Sequence, residues 1–335
     1  MTKQLNTGLI GCGGFVKAMH VPNLKANQKY RIHACADINV KAAEALAAET
    51  GAAYATDNID RLLGDTAVDV VFITTTHDAH AALSVKAANA GKHILCEKPM
   101  AMNARECREV AAAVKANGVK YTVGYNRGMA PLVVRARELI KPISAKMLIY
   151  HRIQAPFPAT HWTHNPAVGG GRFIGEGCHI FDLFCVLVDA PPVSVYASGG
   201  TFLDPAAVKI PDSGIVTITF ADGSIATTLI ASDGCPTFPK ESTEIVCGGK
   251  AVMINDFTSL DYFGFDGQAK QTQTAAKQDK GQALEIDRLA DAIINDAEAP
   301  NGILQAARAA VISYKVNESI ATGKTLSINE QEYCL

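Results

Sequence analysis

The stretch Leu9-Ile10-Gly11-Cys12-Gly13-Gly14-Phe15-Val16 sets the terms for the whole chain. An apolar strand runs directly into a glycine turn. Without a Cβ, glycine lets the backbone turn tightly and come close to a ligand. A helix opening at Gly13 or Gly14 would aim its unpaired N–H groups at an anion such as a pyrophosphate. Dinucleotide-binding turns read G-x-G-x-x-G. Gly11 and Gly13 hold the first two positions, and Val16 stands at the third, which concerns helix–strand packing rather than phosphate. Gly11, Gly13, Gly14, Phe15 and Val16 are therefore the expected cofactor cradle. A plain strand, turn and helix without a ligand is the simpler reading of the same residues.

A regular alternation follows. Strands are expected at 31–36, 68–73, 93–96 and 119–123, with helices over 40–50, 79–90 and 103–116 between them. Strands alternating with helices of this length build βαβ units and a parallel sheet. Residues 1–124 thus read as a Rossmann domain. Beyond it, Pro131 opens a helix to about residue 140, and a strand is expected at 143–154. Residues 155–177 form a long loop rich in Pro, Gly, His and Asn that holds the only tryptophan, Trp162. Loops of this length are usually functional or disordered, and the tryptophan argues for order. A short apolar helix at 179–188 comes next. Asp222-Gly223, Gly248-Gly249 and Asp266-Gly267 lie between apolar or alternating runs and read as hairpin turns. The expected fold class is α/β: a Rossmann domain, then a second α/β domain over 125–335 with a large, mostly antiparallel open sheet.

Composition removes several functions. A net charge of −2 with no run of lysines and arginines speaks against nucleic acid. The nine cysteines form no C-x-x-C pair and no zinc spacing, so no metal is expected and reduced thiols in a cytoplasm fit best. No basic-then-apolar leader opens the sequence, and the apolar run at 180–188 is too short to cross a membrane.

Four places carry chemistry. Asp37 ends the second strand 24 residues past Gly13, where a carboxylate takes the adenosine ribose hydroxyls. It would repel a 2′-phosphate, which favours NAD over NADP. Thr74, Thr75, His77 and His80 follow the strand ending at Ile73, on the edge where parallel sheets bind ligands; Thr76 there would also suit a helix cap. Glu97-Lys98-Pro99 follows the next strand on that same edge. Lys98 could polarise a carbonyl or hand over a proton, or simply pair with Glu97 at the surface. His179 and Asp182 share one face of an apolar helix, as a proton shuttle with its orienting acid or as a buried structural pair. His161, Trp162 and His164 on the preceding loop suit a polyhydroxylated ring, by stacking on its face and hydrogen bonding at its edge.

Taken together, the chain resembles the Gfo/Idh/MocA oxidoreductases. The matching pieces are Gly11-Cys12-Gly13-Gly14 with His20 and Pro22, Ile73-Thr74-Thr75-Thr76-His77 with His80, Glu97-Lys98-Pro99, and Gly169-Gly170-Gly171-Arg172-Phe173-Ile174-Gly175-Glu176-Gly177-Cys178-His179-Ile180-Phe181-Asp182. The resemblance implies hydride transfer between NAD and a hydroxyl or keto carbon of a sugar, polyol or sugar nucleotide. It implies a homodimer or homotetramer through the open sheet of the second domain. Lys98 and His179 map to its lysine and histidine, in either order of proton donor and acceptor. Inositol dehydrogenase-like members carry an aspartate four residues before that histidine; here the place is Gly175, with Glu176 beside it. Glu97 and Asn126 are expected beside the nicotinamide. Lys98, His161, Trp162, Arg172, Glu176 and His179 are expected on the substrate. A non-catalytic NAD sensor and a sugar–sugar oxidoreductase that keeps its cofactor are the alternatives.

Overall fold

The apolar runs of the first third of the chain form a six-stranded parallel sheet in the computed structural model, which describes residues 4–333. Its strands are β1 (Leu5–Ile10), β2 (Tyr30–Ala36), β3 (Tyr54–Thr56), β4 (Val70–Ile73), β5 (His93–Cys96) and β6 (Tyr121–Val123). Helices α1 (Val21–Ala26), α2 (Val40–Thr50), α3 (Ile59–Leu63), α4 (His77–Asn89) and α5 (Ala104–Asn117) lie between them. The order across the sheet is β3-β2-β1-β4-β5-β6. It reverses between β1 and β4, which pair directly. In such sheets the ligand crevice lies beyond the carboxyl ends of the strands at that reversal. Strands covered on both faces read as continuous apolar runs, and all four residues of β4 are buried. Three-residue β3 is too short to show a period, so it is an element the sequence did not announce.

The later elements are α6 (Pro131–Ile140), β7 (Met147–Gln154), α7 (Cys178–Val188), β8 (Pro192–Gly200), β9 (Ser213–Phe220), β10 (Ile225–Ala231), β11 (Glu241–Cys247), β12 (Lys250–Asn255), β13 (Ser259–Phe263), β14 (Gln271–Thr274), α8 (Gln282–Ile294), α9 (Ile303–Thr322) and β15 (Leu326–Ser327). Their strands make a nine-stranded sheet in the order β14-β13-β12-β11-β7-β10-β9-β8-β15. Every pair is antiparallel except β7 with β10. The three expected turns join β9 to β10, β11 to β12 and β13 to β14. The α/β class with a mostly antiparallel second sheet is what the chain adopts.

The described residues divide into two compact units, 4–125 with 282–307, and 126–281 with 308–333. Reading the sequence as a simple tandem gave everything after residue 124 to the second domain. Instead, α8 completes the first unit. Ile286, Leu289 and Ala290 are buried in one core with Leu5, Leu9, Val70 and Phe72, and the Tyr30 hydroxyl donates to Ile286 O at 2.7 Å. Helical spacing shows that α8 has an apolar face but not which core receives it. No helix among the described residues is long and apolar enough to cross a membrane.

Candidate functional site

The ends of β1, β2, β4 and β5 bring the first group of candidates to one sheet edge. Gly11 follows β1 with φ of 93°. A Cβ there would lie 2.7 Å from Thr74 O and 3.0 Å from Thr75 N. Only glycine lets the two backbones lie this close. Thr74 Oγ1 donates to Gly11 O at 2.7 Å and locks the approach. The helix opens at Gly14, and no atom lies within 4 Å of where a Cβ would project from Gly13 or Gly14. That open space beside helix-start N–H groups, at the reversal of strand order, fits a dinucleotide pyrophosphate. Val16 is fully buried in the core and takes over the packing duty of the missing third glycine. Phe15 is half exposed at 47%.

Asp37 does more than its spacing implied. Its Oδ2 accepts the Cys12 N–H at 2.7 Å and its Oδ1 accepts the Asn39 N–H at 2.8 Å. The carboxylate braces the glycine turn, and its remaining lone pairs suffice for ribose hydroxyls.

After the turn the helix is π-wound over Val16–His20. One extra residue in the turn shifts the following side chains round the axis. His20 is 1% exposed, with Nε2 2.8 Å from Glu97 Oε1. Glu97 was expected at the nicotinamide or in a surface pair with Lys98. Its carboxylate is instead buried against His20, and its Oε2 accepts the Lys98 N–H at 3.2 Å. Burial pushes the Glu97 pKa up, but the His20 hydrogen bond and charge, with Lys98, outweigh this and hold it below the usual range. The backbone under half-buried Lys98 is thereby fixed; a cis peptide to Pro99 follows.

His80 ties the neighbouring segments together. Its Nδ1 faces Pro99 O at 2.8 Å and its Nε2 faces Thr75 O at 3.2 Å. Both partners are carbonyl oxygens, which only accept, so this setting favours a hydrogen on each nitrogen, the charged form. Burial opposes that charge; the Cys96 sulfur and the two carbonyls prevail and push the pKa up to about 9. The His77 ring is buried 5.8 Å from it. Thr76 stands at the N-cap of α4 but makes no side-chain capping bond, so the simple capping role is not realised.

In the second unit every residue of α7 except Val186 is buried. His179 and Asp182 lie one turn apart on it, 6% and 0% exposed. Before it, Phe173–Gly177 makes a second π-wound turn that carries Glu176. Glu176 was expected on the substrate, yet its own unit claims it. Oε1 takes Arg127 Nη2 at 3.2 Å and Lys240 Nζ at 3.3 Å, and Oε2 lies 3.8 Å from Arg172 Nη1. Burial raises its pKa; Lys240, Arg127, Arg172 and His179 outweigh burial and hold it well below the usual carboxylate range. Arg127 also makes a two-pronged pair with Glu241, Nε to Oε2 at 2.7 Å and Nη2 to Oε1 at 3.0 Å. Lys280 adds a 2.6 Å bond to Glu241 Oε1, and His151 Nε2 lies 3.8 Å from Oε2. Burial disfavours the Glu241 charge, but Arg127 and Lys280 bring its pKa down to about 2. Asn126, expected beside the nicotinamide, gives its amide N–H to Lys280 O at 2.6 Å.

The long loop is ordered. A Cβ on Gly169 would sit 2.2 Å from Thr163 Cα, so the loop folds back onto itself. Phe157 is its hub, with the rings of His161 and His164 at 4.7 and 5.3 Å and the Arg172 guanidinium 4.2 Å above its face. Trp162 is 39% exposed beside His161. Sequence reasoning missed Arg127, Lys240, Glu241 and Lys280, because partners as far apart as the 114 residues between Arg127 and Glu241 leave no local signal.

Known proteins resemble the chain in sequence and in fold. The profile of the oxidoreductase family with an NAD-binding Rossmann fold matches residues 5–125, and that of the GFO/IDH/MocA C-terminal domain matches 133–250. The uncharacterized oxidoreductase YrbE of Bacillus subtilis strain 168 is 29% identical over 99% of both chains. The inositol 2-dehydrogenase of Rhizobium meliloti strain 1021 is 29% identical over 73% of this chain and 74% of its own. A crystal structure from Sinorhizobium meliloti 1021, assigned as a myo-inositol dehydrogenase, superposes with a TM-score of 0.83 at 26% identity, covering 97% of this chain and all of the other. The chain belongs to the Gfo/Idh/MocA family of NAD-binding oxidoreductases.

Proposed function

We propose that this oxidoreductase acts on a hydroxyl or keto carbon of a sugar, polyol or sugar nucleotide. The observation that carries the reading is the close approach of Gly11 to Thr74 at the β1–β4 reversal, on the sheet edge that also carries Lys98. NAD, when bound, supplies the hydride acceptor. Gly11, Gly13, Gly14 and Phe15 hold its pyrophosphate in this reading, and Asp37 holds the adenosine ribose and disfavours NADP. Thr74, Thr75, His77 and His80 flank the nicotinamide side. The Lys98 ammonium polarises the substrate oxygen, and Glu97 with His20 positions it. His179 takes the hydroxyl proton as the carbon loses its hydrogen, and the Asp182 carboxylate steadies the imidazolium formed. His161, Trp162 and Arg172 meet the rest of the substrate.

Relatives that act on inositol support the polyol class. The test is NADH formation across inositols, aldoses, sugar acids and UDP-sugars, beside Lys98→Ala. We expect one substrate group to respond and the variant to lose about 10²–10⁴ in turnover, the range for a positioned acid–base group, with NAD affinity intact by calorimetry. Unchanged turnover would remove Lys98 from the chemistry. Silence across the panel despite NAD binding would refute the activity.

The same reading makes the second unit the substrate and assembly domain. Leu148, Tyr150, Ile215, Ile225 and Val246 are exposed on the nine-stranded sheet, where Leu148 pairs in register with both Ile225 and Val246, and clustered exposed apolar residues of this kind suit an interaction surface. Self-association there as a homodimer or homotetramer is expected to weaken in Leu148→Glu, read by sedimentation. Seven of the eight cysteines among the described residues are buried free thiols, in keeping with a reducing cytoplasm.

A further inference from the structure

The charge cluster of the second unit leaves one of its cations, Arg172, poorly paired. Four permanent cations, Arg127, Arg172, Lys240 and Lys280, face the carboxylates of Glu176 and Glu241. A third carboxylate, Asp212, acts on Arg172 and on His164 through its field. Its own oxygens already accept from Phe202 N, Leu203 N and the Ser213 hydroxyl. His151 adds no charge, since burial drives its pKa down to about 3. A fourth carboxylate, Asp256, accepts the Glu241 N–H at 3.3 Å on the side away from Arg172 in the chain of contacts, so the cluster as a whole is balanced and its cations differ in how they are paired.

Arg172 is the member left short. It is 3% exposed, its nearest carboxylate oxygen is 3.8 Å away, and its Nε has no hydrogen-bond partner among the described residues. The Phe157 ring beneath it holds the guanidinium plane in place. Beside that ring, His164 is 5% exposed, and neither of its nitrogens has a hydrogen-bond partner among the described residues. Lys240 shares Glu176 with Arg172 and is 41% exposed along its side chain, so the cluster reaches solvent there. An unmade bond from a buried cation costs more than a made one gains. Two such residues on one aromatic hub describe a seat whose acceptor arrives with a ligand.

We propose that Arg172, flanked by Lys240 and His164, binds a carboxylate of the substrate, so that the preferred substrate is a sugar acid rather than a neutral sugar or polyol. The inference rests on the oxidoreductase reading and narrows its substrate class. A carboxylate matches a planar guanidinium fork without overloading a cluster that already holds several carboxylates, whereas a phosphate brings about 1.5 to 2 negative charges.

The test compares glucose with glucuronate, galactose with galacturonate, and both sets with glucose 6-phosphate and myo-inositol, in the wild type, Arg172→Gln and Arg172→Lys. Expected is a kcat/KM at least tenfold higher for each acid than for its aldose, a ratio that collapses in Arg172→Gln and is partly kept in Arg172→Lys. Calorimetry of the NAD-loaded protein with glucuronate and with glucose gives a second readout that does not need turnover or a folded variant. Tighter binding of glucuronate supports the seat even if no sugar yields NADH, an outcome that would refute only the catalytic reading. Acids no better than aldoses in both assays, an unchanged ratio in a folded Arg172→Gln, or a preference for glucose 6-phosphate would overturn the carboxylate assignment while leaving the dehydrogenase standing.

Discussion

Arg127 offers a quantitative test of how the second unit is held together. The substitution Arg127→Met keeps most of the stem but deletes two hydrogen bonds to Glu241 and one to Glu176. Removing one partner of a buried ion pair costs about 3–5 kcal/mol, because the other charge stays buried without compensation. Here Lys280 still reaches Glu241 at 2.6 Å and Lys240 still reaches Glu176 at 3.3 Å. That places the expected loss at the lower end, about 3 kcal/mol. A unit of this size shifts its melting temperature by about 2–4 °C per kcal/mol. The transition of the second unit should therefore fall by about 6–12 °C in scanning calorimetry. The first unit's core contains none of these residues, so its transition is the internal standard. Arg127→Lys restores the charge but not the two-pronged geometry and should recover less than half the loss. A transition in Arg127→Met within about 2 °C of the wild type would refute the reasoning.

Other consequences are equally direct. Glu241 titrates at about 2 in the folded chain against an ordinary 4.5, so its contribution is complete above 4.5 and disappears as pH falls from there towards 2. Stability of the second unit should decline through that window, and Glu241→Gln should flatten the slope; equal slopes would exclude Glu241 as the source. Gly11→Ala places a methyl carbon 2.7 Å from Thr74 O at a φ of 93°. Left-handed strain alone costs about 1–2 kcal/mol, so NAD affinity by calorimetry should fall at least about tenfold, and an unchanged affinity would show that this approach is not the cradle. Asp37→Ala removes the like charge facing a 2′-phosphate and should raise the NADP-to-NAD ratio of kcat/KM about tenfold or more. A variant as strict for NAD as the wild type would remove Asp37 as the selector.

What could be read in the sequence was whatever residue type and short spacing determine. Gly11 and Gly13 after an apolar run, Asp37 at a strand end, and dipeptides such as Asp222-Gly223 each have one dominant physical use, and the fold follows their order. Long-range partners carry no such mark. Glu97 pairs with His20 from 77 residues away, and nothing near Lys98 announces it. Glu176 looked available for a ligand because its claimants, Arg127 and Lys240, come from other elements. The two π-wound turns were also hidden. Each inserts a residue at a place that no residue type marks uniquely, yet they decide where His20 and Glu176 point.

The return of α8 to the first unit has a consequence for how the chain is made. A ribosome adds roughly 5–20 residues per second. Between the emergence of Tyr125 and that of Ile294 lies the long 126–281 segment of the second unit. For roughly ten to thirty seconds, at that rate, the nascent parallel sheet waits with the surface meant for Ile286, Leu289 and Ala290 uncovered. The first unit to be synthesised is thus among the last to close, and its dependence on chaperones during translation should exceed what its near-continuous N-terminal sequence would lead one to expect.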